Sequence, residues 1–230
     1  MEVWQRAFVL QTHFYGERGL ILDLFTEHQG RTRVLAKNVY SQYSIFKGIF
    51  QLFTPLLICW KGRSALKTMQ SAEPISLSLP LSGKILYCGL YVNELLSRVL
   101  LYEADYSTLF YDYLYCLQSL AKTTHSPEPI LRKFEFSLLN YLGYGVDFLH
   151  CADSGEPIKD SKIYSYQEER GFVTADAFKN YCHFNGYELQ AIAEQNFFNS
   201  DILQTAKRFI RLALKPYLGN KLLKSYELFH

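Results

Sequence analysis

A chain of 230 residues that is 49% apolar and 20% charged can bury a real core, as one large domain or two modest ones, and does not have the composition of a disordered segment. Its net charge of +2 is too small to announce a polyanionic partner, so any such binding has to come from local clustering, and Lys and Arg do outnumber Asp and Glu over residues 1–80. Five cysteines without short spacing exclude a disulfide framework, and a start at Met1-Glu2-Val3 with no apolar run of membrane-spanning length gives a cytoplasmic expectation.

Residues 1 to about 74 read as strands. Ala7 and Val9, Leu20 to Phe25, Thr32 to Ala36, Leu52 to Trp60 and Ala65 to Met69 give five short apolar or β-branched runs. Gly16-Glu17-Arg18-Gly19, His28-Gln29-Gly30 and Lys61-Gly62-Arg63 supply reversals between them. Five strands with a longer loop after the third fit a small barrel, of which the OB-fold is the common nucleic-acid-binding example and an SH3-like barrel the competitor. In the third run, period-two alternation puts Arg31, Arg33 and Lys37 on one face, which is expected to meet water. The loop beyond Asn38 interleaves Tyr40, Tyr43 and Phe46 with serines and closes on Lys47. Cations beside aromatic rings suit a single nucleic-acid strand. Arg6, Arg18, Lys61, Arg63 and Lys67 lie in the same module and add to that reading.

Helix periodicity replaces alternation after Pro74. Ile85, Cys88, Val92, Leu95, Leu96 and Val99 form one stripe; Phe110, Tyr113, Leu114 and Leu117 form a second, with Ser107 as the expected cap. Leu131, Phe134, Leu138 and Leu142 form a third, entered by Ser126-Pro127 and ended by Gly143. Three helices on short links predict a bundle. Residues from about 145 to 188 lose the period and hold one hairpin, Ile163 to Tyr166 against Phe172 to Thr174. A last helix is expected from a Ser200 cap to Pro216, with Ile202, Ala206, Ile210, Ala213 and Leu214 buried. The organisation is therefore α+β: a five-stranded barrel over 1–80, then a helical domain over 81–230 interrupted by an irregular insert.

Catalytic patterns are missing from the sequence: no phosphate loop, no GxGxxG, no nucleophile elbow and no zinc helix. Glu94, Glu103, Asp105 and Asp112 read as solvated charges on or between helices. His150-Cys151 and Cys182-His183 do not have the two-to-four residue ligand spacing that structural zinc uses, and Ser154 stands where a CxxC would need its second thiolate. No enzyme, no metal and no cofactor is expected. A second basic cluster, Lys207, Arg208, Arg211, Lys215, Lys221 and Lys224, runs without an acidic residue, and Lys207, Arg211 and Lys215 align on one helix face. Arg132 and Lys133, beside Leu131 and Phe134, suit an acidic peptide ending in an aromatic residue.

In order along the chain stand Trp4-Gln5-Arg6-Ala7-Phe8-Val9-Leu10, Leu24-Phe25-Thr26-Glu27, Gly30-Arg31 with Ala36-Lys37, Phe53-Thr54-Pro55-Leu56-Leu57 and Ser71-Ala72-Glu73. Gly89-Leu90-Tyr91-Val92-Asn93-Glu94-Leu95-Leu96, Leu142-Gly143-Tyr144-Gly145 and Leu214-Lys215-Pro216-Tyr217-Leu218 follow. With these the chain resembles the RecO family of bacterial recombination mediators, and most closely its enterobacterial-type members. The resemblance implies an N-terminal OB-fold and a helical domain with a zinc-finger-like insert, here without metal because, of the four zinc cysteines that many members carry, Cys151 is kept and Ser154 stands at the next position. It implies binding of single- and double-stranded DNA, strand annealing, and work with RecR to load RecA onto DNA coated by single-strand-binding protein. It implies contact with that protein's acidic C-terminal tail, and a cytoplasmic, nucleoid-associated setting. The DNA-binding candidates are then Arg6, Arg31, Arg33, Lys37, Tyr40, Tyr43, Lys47, Lys207, Arg208, Arg211 and Lys215, with Arg132 and Lys133 for the partner tail. The alternative is a protein-interaction adaptor with a barrel and no role in annealing.

Overall fold

The computed structural model describes residues 4–42, 44–46, 48–168, 170–175, 182–219 and 223–229. The chain divides into two compact units, residues 1–127 with 220–230, and residues 128–219.

The first unit is built on five strands, β1 (Gln5–Tyr15), β2 (Gly19–Thr26), β3 (Gly30–Ala36), β4 (Leu56–Lys61) and β5 (Leu66–Pro74). They close in the order β1-β2-β3-β5-β4, with β1 pairing both β2 and β4 and with β3 parallel to β5. This is the OB-fold arrangement the five runs predicted. Alternation fills the barrel with Ala7, Val9, Leu22, Leu24, Val34, Ala36, Leu56 and Ile58, all fully buried. The strand expected from Leu52 begins only at Leu56. Phe53 has φ 62, and the Thr54 N–H turns back to the Gln51 carbonyl.

Part of β1 and β2 is apolar on its outer face too, because two helices cover it. Phe8 and Phe25 are cross-strand partners, and the rings of Phe110 and Tyr113 pack on both at centroid distances of 5.3 to 5.8 Å. Those rings belong to α2 (Ser107–Lys122), which follows α1 (Gly83–Val99). The pairing of β1 with β2 slips between Val9 and Gln11, and the buried Asn93 of α1 donates from Nδ2 to the Val9 carbonyl at 3.3 Å. Its Oδ1 accepts the Tyr113 hydroxyl at 2.7 Å, and Gln11 reaches Ser97 at 2.8 Å. Of the three helical stripes, the first two lie in this unit and the third in the other. The composition change near residue 80 marks where strands give way to helices, whereas the compact units divide at Pro127. Glu94, expected as a solvated charge, receives the Lys224 and Ser225 amides at 2.9 and 2.8 Å and anchors a short 3-10 helix, Lys224–Phe229. Burial pushes its carboxyl up, but the two amides and Arg98 outweigh this and hold it below the ordinary value.

The second unit contains α3 (Glu128–Tyr141), β6 (Ile163–Gln167), β7 (Gly171–Thr174), β8 (His183–Asn185), α4 (Gly186–Ala193) and α5 (Ser200–Leu218). Gly143 does end α3: at φ 83 its N–H reaches the Asn140 carbonyl while the Tyr144 N–H reaches Leu139, a Schellman closure. The predicted hairpin is β6–β7, and β8 joins it on the other edge of β6. Two caps differ from expectation. Asn199, not Ser200, caps α5 by accepting the Asp201 N–H, and Ser107 is the first residue of α2, its N–H held by Asp105. Pro216 lies inside the last turn of α5. The core centres on Phe209, whose ring meets Phe136, Phe148, Tyr166 and Phe172 at 5.0 to 6.0 Å.

Tyr113→Phe leaves the Asn93 carbonyl oxygen without its donor and is expected to cost about 1–3 kcal/mol by chemical denaturation. Phe209→Ala opens a cavity in the second unit and is expected to cost about 3–5 kcal/mol there, read as faster amide exchange over α5 and β6.

Candidate nucleic-acid interface

β3 alternates as expected: Thr32, Val34 and Ala36 point inward, and Arg33 and Lys37 are exposed. Arg31 departs from the expected open stripe. Its guanidinium forks onto the buried carboxylate of Asp23 in β2, Nε to Oδ1 at 3.0 Å and Nη2 to Oδ2 at 2.7 Å, and Nη1 donates to the Leu100 carbonyl at 3.3 Å. The Tyr102 ring lies 4.2 Å from the Arg31 guanidinium and 4.6 Å from that of Arg33. Arg6 is also internally paired, with Nε at 2.7 Å from Glu27 Oε2, and Tyr111 donates its hydroxyl to the same carboxylate. Hydrogen bonding by Arg6 is the main reason that the Glu27 carboxyl is held down at about 2. Lys67, counted among the barrel cations, is only 6% exposed and sits 2.6 Å from the Glu103 carboxylate. Three of the predicted cations thus already carry an anion.

Exposed cations lie at the other end of β1 to β3, and Lys61 and Arg63 are exposed between β4 and β5. Lys37 follows β3 directly, and the turn between β1 and β2 carries Arg18, whose carbonyl accepts the Tyr40 N–H at 3.2 Å. The half-exposed Tyr40 ring lies 5.6 Å from that of Phe14, which is 79% exposed, and Tyr15 beside it is also exposed. Three exposed rings and two exposed cations share this tip. Phe14 and Tyr15 escaped the sequence reading. The signal was there: from Thr12 onward β1 carries no buried residue and ends in two aromatics before Gly16. Phe46 instead packs against the barrel core and stacks near Phe50 at 6.1 Å. Tyr43 and Lys47 lie outside the described residues.

The second unit presents the α5 cations. Arg208, Arg211 and Lys215 are exposed and Lys207 half-buried, and Gln204, Lys207, Arg208, Arg211 and Leu212 line an open cleft of about 620 Å³. Lys207 reaches Glu128 at 3.1 Å; Arg208 donates to the His183 carbonyl at 2.6 Å and lies 4.6 Å from the Phe184 ring. Lys221 lies outside the described residues, and Lys224 is exposed in the first unit. Lys133 is exposed, whereas Arg132, expected at the surface, is 5% exposed and donates to the buried Glu135 at 2.8 Å.

Among the described residues, no group of three or more His, Cys, Asp and Glu side chains is placed to hold a metal ion. The Cys151 sulfur is 3.7 Å from the Thr174 hydroxyl, and although burial pushes its thiol up, the Asp153 and Ser154 amides and Thr174 bring it below the ordinary value. One thiol among hydroxyls and amides is not the set of four sulfur and imidazole ligands that structural zinc takes.

The chain matches the family described as "Recombination protein O N terminal" over residues 1–78 and that described as "Recombination protein O C terminal" over residues 81–227. The DNA repair protein RecO of Sodalis glossinidius is 62% identical over 229 residues, covering 100% of this chain and 88% of that protein. Those of Pectobacterium atrosepticum and Yersinia enterocolitica are 59% and 58% identical, covering 100% of this chain and 93% and 95% of theirs. Among the described residues no helix is long and apolar enough to cross a membrane.

A carboxyl held below its unfolded value stabilises the fold above that value and ceases to do so as pH falls through the folded one. Glu27 shifts from 4.5 to about 2, so stability is expected to fall as pH drops from about 4.5 towards 2. Glu27→Gln should flatten the thermal midpoint over that window.

Proposed function

Since the chain belongs to the RecO family of DNA repair proteins, we propose that it is a DNA-binding recombination mediator that anneals complementary strands and, with RecR, loads RecA onto DNA coated by single-strand-binding protein. The observation that carries the DNA contact is the tip of the barrel, where Phe14 and Tyr40 present rings beside Arg18 and Lys37. Stacking on aromatic faces with cations tracking the phosphates is how single strands are held without sequence preference. Arg33 extends this surface along β3. Arg6 and Arg31 contribute by fixing the surface, since their charge is already matched.

A second basic surface, on α5, holds another strand through Lys207, Arg208, Arg211 and Lys215. Two surfaces on one chain raise the local concentration of one strand around the other, which is the physical content of annealing. No bond is made or broken in the protein's own chemistry. The acidic tail of single-strand-binding protein is received at exposed Lys133, next in sequence to Arg132, which is buried on Glu135. The protein works in the cytoplasm, at the nucleoid.

Binding of a fluorescent single-stranded oligonucleotide across a salt titration tests this reading. Lys37→Glu with Tyr40→Ala is expected to weaken binding by about tenfold or more, given ~1–3 kcal/mol per stacked base, and to lower the salt slope by about 0.7 per lost phosphate contact. Lys207→Glu with Arg211→Glu should slow annealing more than it weakens single-strand binding. Affinity unchanged by both pairs of substitutions would favour the adaptor.

A further inference from the structure

The linker between α1 and α2, residues 100–106, lies over the start of β3 and reaches Lys67 of β5. The Tyr102 backbone bridges to Gly30 and Arg31, the Glu103 N–H donates to the Arg31 carbonyl at 3.0 Å, and Ala104 passes so close to Gly30 that a Cβ there would lie 2.1 Å from its carbonyl oxygen. What this linker puts on the barrel has a particular chemistry. An aromatic ring lies within cation–π distance of two guanidinium groups, Arg31 and Arg33, and in the next residue a carboxylate sits on the ammonium of Lys67. A ring followed by an anion is the pattern a nucleotide offers.

We propose that Arg31, Arg33 and Lys67 form a nucleotide subsite of single-stranded DNA, closed in the free protein by Tyr102 standing in for a base and Glu103 for its phosphate. This rests on the barrel binding DNA, as proposed above, and places a further contact on the strand 2–3 face that OB-folds use for oligonucleotides. Arg31 is suited to be the stacking platform: Asp23 fixes its guanidinium plane and neutralises it, so the plane stays in place when Tyr102 leaves. Lys67 is suited to be the phosphate contact. Its side chain is 7% exposed, and an ammonium so enclosed keeps an anion partner, so Glu103 leaves when a phosphate arrives to replace it. Glu103 itself is 46% exposed, which gives an incoming phosphate access to that ion pair from solvent, and its φ of 58 is one a non-glycine residue adopts at a cost. The subsite therefore opens by exchange of one anion and one ring for another, and closure lowers the apparent affinity by the fraction of molecules that are closed.

The test uses the full chain and an oligo-dT strand. In the wild-type protein, amides 100–106, and that of Glu103 above all, should exchange faster when the strand is bound; exchange that is unchanged or slower overturns the proposal. Tyr102→Ala with Glu103→Gln should bind the strand about tenfold more tightly than wild type. Lys67→Met added to that pair should abolish the gain. A double variant that is folded by its thermal melt yet binds no more tightly than wild type overturns the subsite and leaves the barrel tip standing as the DNA contact. A wild-type chain that does not bind oligo-dT at all overturns both.

Discussion

The contact between Asn93 and the irregular stretch of β1 is the constraint on which the first unit depends. A regular ladder offers no spare acceptor, but at the slip between Val9 and Gln11 the Val9 and Leu10 carbonyls meet the Asn93 amide. A helix bringing one amide side chain satisfies them, and the same side chain accepts from Tyr113 of the next helix. Burial pushes the Tyr113 hydroxyl well above its ordinary value, so it remains a donor at any pH the protein meets. One residue thus sets the positions of α1 and α2 on the barrel. From those positions follow the covering of Phe8 and Phe25 and the course of the linker over β3.

Much of the surface charge that would attract a polyanion has been matched from within. Arg6, Arg31 and Lys67 each hold a carboxylate, whereas Arg18 and Lys37 stand exposed near the β1–β2 turn and Arg33 stands exposed on β3. Matching does two things at once. It fixes the side chains in one geometry, and it cancels their net charge on that part of the surface.

The barrel was legible because alternation and turn residues are local signals, and the five runs needed only small changes at their ends. The helices were legible as helices, but the docking of α1 and α2 on the barrel was not. Phe8 and Phe25 already hinted that β1 and β2 are covered on both faces, yet the rings that cover them lie about 85 to 105 residues away in sequence, and no periodic pattern reports that. The same holds for the charges. The Asp23–Arg31 pair spans one hairpin and could have been foreseen from strand register, whereas Lys67 with Glu103 and Arg6 with Tyr111 join residues whose proximity only the fold creates. Arg132 read as a surface cation because its buried partner Glu135, three residues on, reads equally well as a solvated helix pair.

The amides held by Glu94 have a consequence for how the chain is assembled. Lys224 and Ser225 come to α1 from 130 and 131 residues downstream, after the whole of residues 128–219 has been passed. A polypeptide leaving the ribosome therefore emerges with its first unit still lacking a piece, and the carboxylate must wait, solvated, until residues 224 and 225 have been made. Loop closure over such a span costs only logarithmically more than over a short one, and it costs less once the intervening residues have collapsed into a folded body. The second unit is in this sense a guest whose folding shortens the path by which its host is completed.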